Sequence, residues 1–150
     1  PDARISEDVM TIPGIDGQKM SKSYGNTIDI FQPDKVLRKN IMKIVSDSTP
    51  MEDPKDPDND ITFSLYSLLA SEDQNAEMKA NYLGGNYGYG HAKQALFELI
   101  VEKYSKERET YNYYMDNPAL LNEELSKGEE KARVIAKEVL NRVRKVLGFA

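Results

Sequence analysis

Apolar positions change their spacing near residue 30. Before that point, Val9-Met10-Thr11-Ile12 reads as the end of an extended element, and Pro13-Gly14 and Asp16-Gly17 are dipeptides that turn a chain. A strand feeding a loop is the expectation over Ile5 to Asn26. After Thr27-Ile28-Asp29-Ile30, Pro33 suits a first helical turn, and Leu37, Ile41, Ile44 and Val45 recur on one side at helical spacing. From there helix dominates.

The stretch from Ser46 to Asp60 carries three prolines and six acidic residues against one lysine, a composition that predicts an exposed connector without a buried element. Ile61 to Ala70, with Phe63, Leu65, Tyr66, Leu68 and Leu69, predicts a helix apolar nearly all round and central to the second module. Ser71-Glu72-Asp73 can start the next helix and Gly84-Gly85 can end it. His91 to Met115 predicts one long helix, apolar in its first half, broken by Asn117-Pro118. A short helix over Ala119 to Leu125, a stop at Lys127-Gly128 and a last helix from Glu129 to Leu147 are expected to follow. On that last helix Ala132, Ile135, Ala136, Val139, Val143 and Val146 fall within one narrow arc.

Composition narrows the chemistry. Hydrophobic residues make up 39% of the 150 positions and charged residues 30%, and the mean hydropathy is -0.63, which describes a water-facing domain with a core and no membrane span. The absence of cysteine removes disulfides, thiolate metal sites and cysteine nucleophiles, and one histidine removes a multi-histidine metal cluster. A cytoplasmic location is the default that follows. The net charge of -5 argues against nucleic-acid binding by bulk charge, so any such contact must come from a local patch. The start at Pro1-Asp2-Ala3-Arg4 carries no Met, signal or lipidation motif and suggests a piece of a longer chain.

The informative segment is Gly17-Gln18-Lys19-Met20-Ser21-Lys22-Ser23-Tyr24-Gly25-Asn26. Two lysines three apart, two hydroxyls and flanking glycines suit a triphosphate, because backbone N–H groups and hydroxyls can meet phosphate oxygens while the ammonium groups oppose their charge. A solvated Lys/Ser surface loop is the plain alternative. Lys19-Met20-Ser21-Lys22-Ser23 matches letter for letter the KMSKS signature of class I aminoacyl-tRNA synthetases. Pro13 to Gln18 before it, Tyr24-Gly25-Asn26-Thr27-Ile28 after it, Asp47-Ser48-Thr49-Pro50 with Asp56-Pro57-Asp58, and Gly88-Tyr89-Gly90-His91-Ala92-Lys93 together resemble the tryptophanyl-tRNA synthetase family through most of the chain.

The resemblance implies a mainly α fold: the edge of a Rossmann-type α/β catalytic domain over 1–30 with the signature loop, then an α-helical bundle anticodon-binding domain over 31–150. It implies a C-terminal part of a tryptophan–tRNA ligase, which activates tryptophan with ATP and Mg2+ and transfers it to tRNA(Trp). Carried over by position, Lys22 and Lys19 would neutralise charge on the departing pyrophosphate, with Lys22 the stronger candidate. Ser21 and Ser23 would hold phosphate oxygens, Met20 would offer its backbone to the adenine end, and Met10 would do likewise unless it only packs in the strand. The loop from Pro13 to Asn26 is expected to open and close over ATP. The family's HIGH-like motif and amino-acid pocket are missing from these residues, so the chain alone is expected to be inactive.

His91 is expected to serve a helix start or the structure and not to replace the missing motif. The full-length family member is a homodimer through its catalytic domain, so this chain is expected to be monomeric with apolar surface exposed. On the last helix, Lys131, Arg133, Lys137, Arg142, Arg144 and Lys145 flank the apolar arc and either meet tRNA phosphates or simply solvate the face. Packing is the expectation for Tyr104 and Tyr111, with Tyr113 or Tyr114 exposed, and Tyr82, Tyr87 and Tyr89 are expected to shape a helix corner. The rivals are a tyrosine-specific synthetase and a helical interaction module with an incidental lysine loop.

Overall fold

The computed structural model describes residues 11–149; Met10, with Val9 and the rest of the expected strand before it, lies outside the described residues. From Thr11 the chain makes a small hairpin, in which Pro13 and Lys19 form an isolated antiparallel bridge. A 3-10 turn at Lys22–Tyr24 follows. Six α-helices come next among the described residues: α1 Asp34–Ile41, α2 Ile61–Ser67, α3 Glu72–Gly84, α4 Tyr89–Lys103, α5 Ser105–Asp116 and α6 Pro118–Val146. The fold is therefore mainly α. Two compact units divide within α5, one ending at Arg108 and the other beginning at Glu109.

In the first unit, α4 packs on α1 and on α2, and α2 also meets α3. The apolar positions that recur along α1 and the following turn, Leu37, Ile41 and Ile44, are sealed against Leu65, Tyr66, Met78, Tyr82, Leu96 and Ile100. Val45, read as part of the same face, is instead exposed. Leu96 is fully buried, and truncating such a leucine to alanine costs about 2–5 kcal/mol. Ser71 and Gln74 close a capping box at the start of α3, with Ser71 N–H donating to Gln74 Oε1 at 2.9 Å and Gln74 N–H to Ser71 Oγ at 3.3 Å. That helix ends at Gly85, as the sequence implies.

Three expectations about whole segments need correction. The helix expected over His91 to Met115 is interrupted at Tyr104, whose φ of -106° and ψ of 18° leave the helical region. No Gly or Pro marks the interruption; Tyr104 packs against the core while Arg108, four residues on, reaches back to Ile30 O and the Asp34 carboxylate. The two helices expected on either side of Gly128 are one helix of 29 residues. Glycine in a helix interior costs only about 1 kcal/mol relative to alanine, and the turns around it carry ion pairs from Lys127 to Glu123 and Glu124 and from Arg133 to Glu129.

The third correction concerns the connector. It holds a buried element after all, because Lys55 is 3% exposed and its ammonium donates to the carbonyls of Pro50, Met51 and Asp53 at 2.8, 3.3 and 3.0 Å. Its own N–H donates to Tyr82 O at 2.7 Å, and its Nζ lies 5.4 Å from the centre of the Tyr89 ring. Pro57 and Asp60 are buried as well. Asp60 caps α2 by accepting from Phe63 N–H at 2.8 Å and accepts from Tyr82 Oη at 2.8 Å. Burial first, then the Asp60 charge, pushes the Tyr82 hydroxyl far above its ordinary range, so it stays a donor.

The second unit is built differently. Asn117 turns the chain from α5 into α6, and α6 buries no residue. Ile135 is 67% exposed and Val146 82%, so the apolar arc expected on the last helix exists and is uncovered. Tyr111 is exposed, against the expectation of packing. Tyr113 is exposed too, its ring edge-on to Tyr114 at 5.6 Å.

Candidate functional site

The signature segment sits on the hairpin and the 3-10 turn after it. Met20 N–H donates to Ile12 O at 2.9 Å and Gly14 N–H to Gln18 O at 2.7 Å, which closes the hairpin around Asp16-Gly17. Gly17 has φ +81°, a left-handed value that a side chain resists. Asp16 Oδ1 accepts from Gln18 N–H at 3.0 Å across that turn. The outgoing segment then bends into the 3-10 turn Lys22–Tyr24, closed by Gly25 with φ 67°.

One buried amide organises this segment. Asn26 is 2% exposed; its Oδ1 accepts from Ser21 N–H at 2.8 Å, and its Nδ2 donates to Asp16 Oδ1 at 2.8 Å and to Lys19 O at 3.2 Å. Its main-chain oxygen accepts from Ile15 N–H at 3.0 Å, and Ile15 O in turn accepts from Val45 N–H at 2.8 Å. Gly14 lies so close that a Cβ there would fall 2.4 Å from the Asn26 side chain. The amide's hydrogen bond is the main cause that holds the Asp16 carboxyl below its ordinary range.

The chemistry-bearing groups point away from this scaffold. Lys19 and Lys22 are both exposed, and neither ammonium has a hydrogen-bond or ion-pair partner among the described residues. Ser21 Oγ and Ser23 Oγ lie 2.8 Å apart and bond to each other. The structure therefore brings Lys19, Ser21, Lys22 and Ser23 together on one short loop. Met20 turns the other way: it packs against the core and lines an apolar cleft of about 310 Å³ with Ile12, Ile28, Leu65 and Ile100. Its N–H is committed to the hairpin.

A resident metal ion has no cradle here. Among the described residues no group of three His, Asp or Glu side chains is arranged to hold one, and Asp16, the carboxylate nearest the signature in sequence, already accepts from Gln18 and Asn26. His91 is accounted for locally, its Nδ1 accepting from Gly88 N–H at 3.2 Å at the start of α4 and its ring 5.5 Å from that of Tyr87. Tyr82 stands between Tyr87 and Tyr89, with ring centres at 5.9 and 6.3 Å, the corner expected of that trio. No helix of the described residues is long and apolar enough to cross a membrane.

Sequence reading singled out the lysines and serines and missed Asn26, Asp16 and Lys55. An Asn that follows a glycine after a lysine-rich loop is a faint signal, since Asn-rich turns are common and the partner of the amide is ten residues away.

The family described as tRNA synthetases class I (W and Y) matches residues 3–105. The tryptophan–tRNA ligase of Fusobacterium nucleatum is 43% identical over 149 residues, 99% of this chain and 46% of its own. That of Campylobacter jejuni is 44% identical, covering 99% and 47%. A crystal structure of tryptophanyl-tRNA synthetase from Campylobacter jejuni complexed with ADP and tryptophan superposes with a TM-score of 0.90 at 44% identity, over 99% of this chain and 46% of that one. A second crystal structure of the Campylobacter jejuni enzyme gives 0.87, over 92% and 45%. The chain spans about half the length of these relatives. A matched family profile across residues 3–105, on which the signature loop sits, places the chain in the class I tRNA synthetases of the tryptophan and tyrosine kind.

Proposed function

We propose that this chain is the C-terminal part of a tryptophan–tRNA ligase, in which residues 1–30 form the edge of the Rossmann-type catalytic domain and residues 31–150 form the helical domain that meets the anticodon end of tRNA(Trp). In the full-length enzyme, a homodimer acting in the cytoplasm, the carboxylate oxygen of tryptophan attacks the α-phosphorus of ATP. The bond to pyrophosphate breaks, and the aminoacyl group then passes to the 3′ end of the tRNA. The observation that carries this reading is that Lys19 and Lys22, exposed and without an ammonium partner among the described residues, sit on one loop with the Ser21–Ser23 hydroxyl pair in a member of this family.

Lys22 and Lys19 oppose the charge that grows on the leaving pyrophosphate, an interaction stronger in the transition state than in the ground state. Ser21 and Ser23 exchange their mutual bond for phosphate oxygens. Because the Met20 N–H is committed to Ile12, its contribution to the adenine end falls to its carbonyl. For Met10, outside the described residues, the same role rests on the resemblance alone. Mg2+ supplies further neutralisation when it arrives with the phosphates, and no residue described here is assigned to hold it. Opening for product release moves the hairpin as one hydrogen-bonded body. The basic residues of α6, of which Arg133 already pairs with Glu129, face tRNA phosphates.

The test is pyrophosphate exchange by the full-length enzyme. Exchange is expected with tryptophan and not with tyrosine, and Lys22→Ala is expected to slow it by about 100-fold or more. Exchange at the wild-type rate in that variant, or a preference for tyrosine, overturns the reading.

A further inference from the structure

Lys19 and Lys22 are on long, flexible stems, so what fixes their placement is the backbone they leave from. That backbone has few ordinary constraints: one isolated bridge, one 3-10 turn and no neighbouring strand among the described residues. The Asn26 side chain fills the gap. It contacts the segment at Lys19 O, before Met20, and at Ser21 N–H, after it, so both sides of Met20 are tied to one rigid amide plane. The same plane reaches the hairpin tip through Asp16. Its orientation is dictated by its partners, since Ser21 N–H can only donate while Asp16 Oδ1 and Lys19 O can only accept. Being 2% exposed, the amide does not exchange these partners for water.

We propose that Asn26 is a positioning residue for ATP: its buried side-chain amide sets the register of Lys19 to Ser21 and so aims the two ammonium groups and the two hydroxyls at the phosphates. Asp16 is its counterpart, holding the amide from the solvent side. Asn26 is out of reach of any nucleotide and acts only through the loop. The proposal rests on the reading of that loop as the phosphate site. It accounts for two further features, the glycine at position 14, where any Cβ would strike the amide, and the Asp16 carboxylate facing Asn26 and not either lysine.

The test uses the full-length enzyme with Asn26→Asp, Asp16→Ala, the exchange pair Asp16→Asn/Asn26→Asp, and Lys22→Ala alongside. Asn26→Asp keeps the acceptor for Ser21 but sets a second carboxylate against Asp16 and removes both donors. It is expected to lower kcat/KM for ATP in pyrophosphate exchange by about 10- to 100-fold, with KM for tryptophan unchanged. The exchange pair restores an amide donor facing a carboxylate while leaving Lys19 O without its donor, and is expected to recover kcat/KM for ATP by about threefold over Asn26→Asp and not to the wild-type value. Asp16→Ala, at an exposed position that does not endanger folding, is expected to raise KM for ATP by about 3- to 10-fold. A wild-type kcat/KM for ATP in Asn26→Asp, an unrescued exchange pair, or equal changes in the two KM values overturns the proposal. If Lys22→Ala is also unimpaired, the phosphate reading fails with it; if only Lys22→Ala is slow, the failure belongs to Asn26 alone.

Discussion

The signature loop and the connector from Ser46 to Asp60 carry no more regular structure than one 3-10 turn each, Lys22–Tyr24 and Pro57–Asn59, and in each a buried polar side chain gathers main-chain groups. In the loop it is Asn26, a neutral amide that satisfies one N–H and two oxygens. In the connector it is Lys55, which can only donate and gathers three carbonyls. The difference decides what each segment has left over. A neutral clamp leaves the charges of Lys19 and Lys22 outside, available to a ligand. The connector folds its one cation inward and presents mostly carboxylates to solvent, a surface unsuited to phosphate. Irregular segments can thus be equally well tied and yet offer opposite chemistry.

The connector offers the largest effect with which to break this comparison. Lys55→Met keeps the stem but removes all three bonds to the carbonyls of Pro50, Met51 and Asp53, and is expected to destabilise the chain by about 2–4 kcal/mol. Urea unfolding measures it; an unchanged midpoint shows that the connector does not depend on its lysine. Gly14→Ala presses a methyl group into Asn26 and is expected to cost about 1–3 kcal/mol, read in the same experiment.

The smallest effect is at Tyr89, whose Oη donates to Asp47 Oδ1 at 2.6 Å. Burial first, then that bond, pushes the Tyr89 hydroxyl up to about 12. Its contribution is therefore complete below the ordinary tyrosine value near 10 and lost as pH rises through about 12. The Asp47 carboxyl is held below its ordinary range chiefly by the same bond, so its contribution is present above that range and lost as pH falls through the lowered value. Tyr89→Phe is expected to return the Asp47 titration toward about 3.9, followed by carboxyl NMR, and to remove from the alkaline absorbance titration the one tyrosine that titrates at about 12.

Much of this was legible along the chain. The helical spacing of Leu37, Ile41 and Ile44, the Ser71 start and Gly85 end of α3, and the lysine-serine string are local patterns, and they appear where the pattern puts them. What stayed hidden depends on distant contacts. The break at Tyr104 has no Gly or Pro behind it, and Gly128 reads as a stop although a helix carried by flanking ion pairs runs through it. Lys55 reads as solvated among aspartates because its partners are carbonyls, which sequence does not display. Asn26 is the same case at the candidate site.

Ile15 ties the hairpin tip to the rest of the first unit. It is clasped on one edge by the main chain of Asn26 and on the other by Val45, just past α1. A swing of the tip that left both neighbours behind would rupture two clasps at once, whereas carrying them along ruptures neither. The easier path is for this strip to tilt like a plate on a pivot, so that a displacement of the tip would be felt as a tug on the end of α1.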